Sequence, residues 1–170
     1  EKELPPREMV EEAREIRKLC GANVIFIVND RIDVALASEA DGIHIGPDDI
    51  DFRMARKILG DGKIIGVTVS SLEDAKKFEG LGADYISLSP IFATSTKKDA
   101  GKPIGTEILK KVNEELRIPF MAIGGITFEN LKDVLDAGCK RVCIISAILA
   151  KDDVEEEVRK IRRIINDNTA

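Results

Sequence analysis

Apolar positions along this chain recur with two alternating periods, and the alternation predicts its elements. Met9, Val10, Ala13, Ile16 and Leu19 are spaced three or four apart among charged residues, which predicts an amphipathic helix opened by Pro5 and Pro6 and stopped at Gly21. Residues 23–28 then form an unbroken apolar, β-branched run, the mark of a strand covered on both faces. The same two signals return down the chain. Helices are predicted over 32–37, 52–59, 72–81, 108–116 and 129–137, and strands over 41–46, 63–68, from 84, over 119–123 and over 141–145. Ser70 with Glu73 has capping-box spacing, Thr127 is placed to cap the helix over 129–137, and Asp152 or Asp153 opens a last helix carrying Val154, Val158, Ile161, Ile164 and Ile165.

Strand and helix therefore alternate six times, a pattern of parallel strands joined by right-handed crossovers. Two architectures fit: an open doubly wound sheet and a (β/α)8 TIM barrel. Every predicted strand ends in polar or glycine residues: Asn29 and Asp30, Asp49, Thr68, the segment from Thr94 to Lys97, Gly124 and Gly125, and Ser146. An open sheet gathers ligand groups at its switch point, whereas a barrel gathers them from all its strands, so the α/β fold expected is the barrel. Six strands of eight are visible and the first element is a helix. The expectation is thus a single TIM-barrel domain over 1–170 in which the first strand, first helix and second strand, roughly 40–50 residues, precede Glu1. A further expectation is that strand edges beside 23–28 and 141–145 need closing.

Composition narrows the class. At 170 residues, 44% hydrophobic, the chain suits one core. A net charge of -5 argues against nucleic acid as a partner. No apolar run is long enough to cross a membrane and no secretory pattern is present, so the expected location is cytoplasmic. Cys20, Cys139 and Cys143 are odd in number and lack zinc spacing, which reads as reduced thiols. A single histidine, His44, makes a histidine-based triad or metal cluster improbable, and its place between Ile43 and Ile45 in a strand suits a structural role.

The candidate chemistry is phosphate and metal binding. Thr94, Ser95, Thr96, Lys97 and Lys98 follow a buried-strand pattern and offer hydroxyls, backbone N–H groups and lysine charge to an oxyanion; the alternative is a solvated loop. Gly124 and Gly125, with Ser146, Ala147 and Ile148, end the last two strands, where barrels build phosphate sites from backbone N–H groups; the alternative for the glycines is a tight turn. Asp30 and Asp49 end neighbouring strands and could share a Mg2+ ion that keeps several waters. For Asp30 the alternative is a turn or helix cap.

In order and spacing, Asn29-Asp-Arg, Ala40-Asp-Gly-Ile-His-Ile-Gly-Pro-Asp-Asp49, Pro90-Ile-Phe-Ala-Thr-Ser-Thr-Lys-Lys-Asp99 and Ala122-Ile-Gly-Gly-Ile126 resemble the thiamine phosphate synthase family. The resemblance runs from Lys2 to about Ile148. It implies an enzyme that condenses hydroxymethylpyrimidine diphosphate with thiazole phosphate, releasing pyrophosphate with Mg2+. It further implies that Lys2, Asn29 and Lys97 grip the diphosphate, that Asp30 and Asp49 hold Mg2+, that Thr68 stands near the pyrimidine, and that Thr94, Thr96, Gly125, Ile145 and Ser146 form the thiazole phosphate site. Lys2, Thr68 and Lys97 would carry the catalysis. The expected partners are these two small molecules, with the oligomeric state open. Ser89, Ala93 and the Pro47-Asp48 pair depart from the family pattern and bear on loop shape. Three other readings are a thiazole tautomerase relative, disfavoured because Thr68-Val-Ser-Ser71 carries no histidine; a sugar-phosphate epimerase or isomerase barrel, which would not need the threonine–lysine loop with both Asp30 and Asp49; and a non-catalytic phosphate-binding paralogue, disfavoured by Asp30, Asp49 and Lys97 together.

Overall fold

The computed structural model describes residues 4–96 and 101–168 and divides into two compact units. The first runs up to Thr68 and takes in Leu81–Asp84; the second comprises Val69–Gly80 and the chain from Tyr85 onward.

In the first unit, helix α1 (Pro6–Cys20) is followed by strand β1 (Ile27–Asn29), α2 (Ile32–Ala37), β2 (Gly42–Ile45), α3 (Phe52–Leu59) and β3 (Ile64–Val69), whose last residue belongs to the second unit. The strands are parallel, Ile43 standing opposite Ile65 and Asn29 opposite His44. Since side chains alternate along a strand, Ile43, Ile45, Ile65 and Val67 share one face and are buried, while Gly42, His44, Gly66 and Thr68 share the other. Met9 and Ala13 of α1 pack with Val34 of α2 and with Phe26 and Val28, so the periodicity of α1 is its packing face.

Two matching charged clamps close the N-terminal ends of these strands. Asp41 accepts the N–H of Phe26 at 2.7 Å and a guanidinium N–H of Arg17 at 2.5 Å. Asp84 accepts the N–H of Ile65 at 2.8 Å and one from Arg56 at 2.6 Å. Each arginine also donates to the carbonyl of the glycine that ends its own helix, Gly21 or Gly60. The backbone donor, then Arg17, holds the Asp41 carboxyl below its ordinary range.

The second unit contains α4 (Leu72–Gly80), β4 (Tyr85–Leu88), α5 (Glu107–Glu115), β5 (Phe120–Ile123), α6 (Leu131–Asp136), β6 (Val142–Cys143), the four-residue α7 (Ser146–Leu149) and α8 (Val154–Asp167). Its strands are parallel, with Leu88 opposite Ala122 and Ala122 opposite Val142. Leu109 and Val112 of α5, Leu131 and Val134 of α6 and Ile86, Leu88 and Ala122 of the strands are fully buried. Glu79 at the end of α4 accepts the N–H groups of Arg117 and Ile118 ahead of β5.

Four expectations are corrected at element ends. The first strand starts at Ile27 and not at residue 23: Val24 and Ile25 are 52% and 67% exposed and line a cleft of about 290 Å3 with Arg17, Asp41 and Lys63. Apolar composition alone does not supply a pairing partner. The sixth strand is two residues long rather than five. The cap of α4 is Ser71, whose hydroxyl accepts the N–H of Asp74 and donates to its carboxylate; the pair lies one residue beyond Ser70 and Glu73. Helix α6 begins at Leu131, two residues later than expected. At the last helix Asp153 is the cap, accepting the N–H of Glu156 at 2.9 Å. All three cysteines are free thiols, and no helix among the described residues is long and apolar enough to cross a membrane.

Candidate functional site

In the first unit the strand ends present Asn29, Asp30, His44, Asp49 and Thr68. Asp30 follows β1 directly with a left-handed backbone, φ 63°, a conformation that Asp and Asn tolerate better than other side-chain-bearing residues. Its N–H donates to the carbonyl of His44 at 2.8 Å, which holds the residue at the C-terminal ends of β1 and β2. Asn29 is exposed beside it. Asp49 sits in the turn between β2 and α3, where its carboxylate accepts the N–H of Gly46 at 2.7 Å. The turn is therefore built around a carboxylate. Helix α3 is capped independently by Asp51, so neither Asp48 nor Asp49 is needed as its cap.

His44 has a role in this group as the polar link between strands. Its Nε2 lies 2.7 Å from the Thr68 hydroxyl. Burial, partly opposed by the charge of Asp30, lowers its pKa to about 4, so the ring is neutral near pH 7. Spacing predicts a structural histidine, and this is the contact that makes it one. What spacing does not reveal is that Thr68 is the partner, which ties a residue expected near the substrate to the adjacent strand.

In the second unit the candidates gather on two turns. The loop after β4 is pinned by N–H donation from Ile91 to the Ile123 carbonyl and from Phe92 to that of Gly124, and by N–H groups of Ile104 and Gly105 reaching back to Pro90 and Ile91. Thr94 is half-buried and its hydroxyl accepts the N–H of Thr96, a local turn that orders the loop. Gly124 and Gly125 both have left-handed backbones, φ 98° and 65°. A Cβ on Gly124 would lie 2.7 Å from that of Pro90, and one on Gly125 would strike the Ala93 carbonyl oxygen. Glycine is required here by contact as well as by backbone. The glycine pair is thus the seat on which the threonine loop rests.

Asn130 is the residue that spacing misses in this unit, because it falls inside the stretch predicted as helix. Its side chain accepts the N–H of Thr127 at 2.8 Å and donates to the Gly125 carbonyl at 2.9 Å. Thr127 itself is bonded to Glu129, whose carboxyl is held below its ordinary value chiefly by that contact. Ile145 and Ser146 are exposed at the start of α7. On the inner strands, burial, followed by the neighbouring Cys143, raises the Tyr85 hydroxyl to about 12, so it stays protonated.

Lys2 and Lys97 lie outside the described residues. Each unit by itself therefore presents part of the expected set: Asn29, Asp30, Asp49 and Thr68 in the first, Thr94, Thr96, Gly125, Ile145 and Ser146 in the second.

Residues 1–148 match the protein family described as Thiamine monophosphate synthase. A thiamine-phosphate synthase of Methanosarcina barkeri is 50% identical over 159 residues, covering 94% of this chain and 72% of the relative. One from Methanosarcina mazei is 49% identical over 160 residues, with 94% and 67% coverage. The solved structure of a thiamine phosphate pyrophosphorylase from Pyrococcus furiosus superposes with a TM-score of 0.92 at 38% identity, covering all of this chain and 82% of the other.

Proposed function

The chain belongs to the thiamine monophosphate synthase family, and from that premise we propose how its residues divide the work of the reaction. The activity is that of a thiamine-phosphate synthase, a transferase of thiamine biosynthesis. The carbon–oxygen bond between the pyrimidine methylene and its diphosphate breaks, a bond from that carbon to the thiazole nitrogen forms, and pyrophosphate leaves. The observation that carries this reading is the likeness to synthases along nearly the whole chain, and the strand-end residues fit it. A departing diphosphate needs charge stabilisation, whereas the incoming thiazole needs to be held in place. No protein nucleophile is required.

We assign the diphosphate to the first unit, through Asn29, Asp30 and Asp49, with Lys2 and Lys97 as cations. Mg2+ fits the chemistry of this donor set, since Asp30 and Asp49 offer hard carboxylate oxygens. Two carboxylates suit an ion that keeps waters and accepts phosphate oxygens. When bound, such an ion would neutralise charge on the leaving diphosphate. Thr68, oriented by neutral His44, is assigned to the pyrimidine. The thiazole phosphate is assigned to the second unit, through Thr94, Thr96, the Gly124 and Gly125 turn, and the backbone at Ile145 and Ser146. The repeated strand–helix units, with polar or glycine residues after the strands, support the proposal that they belong to a (β/α)8 barrel. The reading places the enzyme in the cytoplasm, acting on two small molecules.

The test is direct assay with both substrates and Mg2+. Thiamine phosphate and pyrophosphate should appear in equal amounts, and chelation should stop both. Release of pyrophosphate without thiamine phosphate would contradict the reading.

A further inference from the structure

Asn130 immediately precedes α6, yet it does not cap that helix. Its backbone is right-handed helical, φ -110° and ψ -3°, and its side chain makes no bond to the first turn. The carboxamide instead turns back along the chain, accepting from the N–H of Thr127 and donating to the carbonyl of Gly125. These two backbone groups flank Ile126, which is buried. A trans peptide is planar, so holding its carbonyl fixes the N–H on its other edge. The bond to the Gly125 carbonyl thereby orients the N–H of Ile126, and the bond from the Thr127 N–H orients the carbonyl of Ile126. One side chain sets two consecutive peptide planes.

Those planes continue the Gly124 and Gly125 turn, which has no rigidity of its own. Glycine reaches left-handed conformations easily but also leaves them easily. The turn is packed from one side by Pro90, Phe92 and Ala93, and Asn130 holds it by hydrogen bonds to backbone that follows. The carboxamide offers a donor and an acceptor on separate atoms, one for each backbone group. Aspartate would keep the acceptor and set a carboxylate against the Gly125 carbonyl.

We propose that Asn130 is a positioning residue of the phosphate site in the second unit: it locks the peptide planes after Gly125, occupying the N–H of Thr127 itself, so that the N–H of Ile126 is preset for a phosphate oxyanion. The inference rests on the assignment of the thiazole phosphate to that turn. Asn130 need not touch the substrate; it acts through the backbone it holds.

The experiment is steady-state kinetics of wild type, Asn130→Ala and Asn130→Asp, varying each substrate in turn. The loss of two bonds that preset an anion site should raise the KM for thiazole phosphate about tenfold or more. The KM for pyrimidine diphosphate should stay within about twofold and kcat should fall by less than the KM rises. Asn130→Asp should be the worse of the two, since it adds negative charge beside the site. Equal change in both KM values, or a loss of thermal stability with both KM values unchanged, would overturn the role. Should the variants fail to fold, the wild type still decides. Titration with inorganic phosphate should shift the backbone amide resonance of Ile126, and the Asn130 side-chain amide proton bonded to Gly125 should exchange slowly; an unshifted Ile126 amide or fast exchange overturns the proposal. A wild type that makes no thiamine phosphate would sink the reaction while leaving that titration to judge Asn130. An active wild type without the KM split would do the reverse.

Discussion

On the proposed assignment, the two units of this chain meet similar ligand problems with different materials. The first works with charged side chains: Asp30 and Asp49 at the strand ends, and the paired Arg17–Asp41 and Arg56–Asp84 clamps at the opposite ends. The second works with backbone, where two glycines without room for a Cβ seat a threonine loop and one asparagine fixes the peptides that follow. Diphosphate must be stabilised more as it leaves than when it arrives, and carboxylates with a cation respond to that change in charge. A phosphate that stays on its substrate throughout needs only a fixed cradle. Stabilising a changing charge raises turnover, whereas fixed binding mainly lowers KM.

The largest expected effect comes from removing charge in the first unit without disturbing its turns. Asp30→Asn keeps a side chain suited to φ 63°, and Asp49→Asn keeps an oxygen to accept the Gly46 N–H. Both should fold normally and lower kcat by about 100-fold or more. Near-normal turnover in both would dissolve the contrast between the units.

A smaller but distinct effect is expected from filling the seat in the second unit. Gly124→Ala brings a methyl group within 2.8 Å of the Pro90 Cα on a strained backbone, at a cost of about 2 kcal/mol in stability. The denaturation midpoint should fall and the KM for thiazole phosphate should rise. A variant as stable as wild type would mean that the loop gives way easily and the seat is not rigid.

The Arg17–Asp41 clamp sharpens the comparison through pH. The Asp41 carboxyl is held below its ordinary value of 3.8, first by the Phe26 N–H. Its contribution is therefore present above that value and lost as pH falls through the lowered one. Because the carboxylate is 41% exposed, solvent screening should keep the contribution under about 1 kcal/mol. Urea midpoints of wild type and Asp41→Asn should differ at pH 7 and converge only as the pH falls below the lowered value, and a constant difference would rule out the carboxylate as the cause.

Smallest of all is Ser146→Ala. An exposed hydroxyl beside a site read by backbone should matter by about twofold or less in either KM. A larger rise for thiazole phosphate would make the second unit a side-chain site after all.

How far these features were legible in the sequence follows the same division. Periodicity located the six strands and every helix except the four-residue α7, because burial of Ile43, Ile65, Leu88 and Val112 is written in their spacing. The charged candidates were equally visible, since Asp30 and Asp49 stand just past apolar runs. Hydrophobic pattern misjudged residues 23–26, because an apolar run does not say whether a neighbouring strand lies alongside. It also missed Asn130, whose importance lies in two bonds to backbone five and three residues earlier. The seating of Gly125 against Ala93 joins turns more than thirty residues apart, a contact that no local pattern encodes.

The division between the units is tested most directly by ligand-induced thermal stabilisation, since a ligand that binds only the folded state raises Tm by an amount that grows with the logarithm of its concentration relative to its Kd. Wild type, Asp30→Asn and Gly125→Ala would each be melted with Mg2+ and inorganic pyrophosphate, and separately with thiazole phosphate. Wild type should be stabilised by both ligands. Asp30→Asn should lose the response to Mg2+ and pyrophosphate while keeping the response to thiazole phosphate, and Gly125→Ala should do the opposite. Loss of both responses together in either variant, or retention of both in each, would contradict the assignment of one phosphate group to each unit.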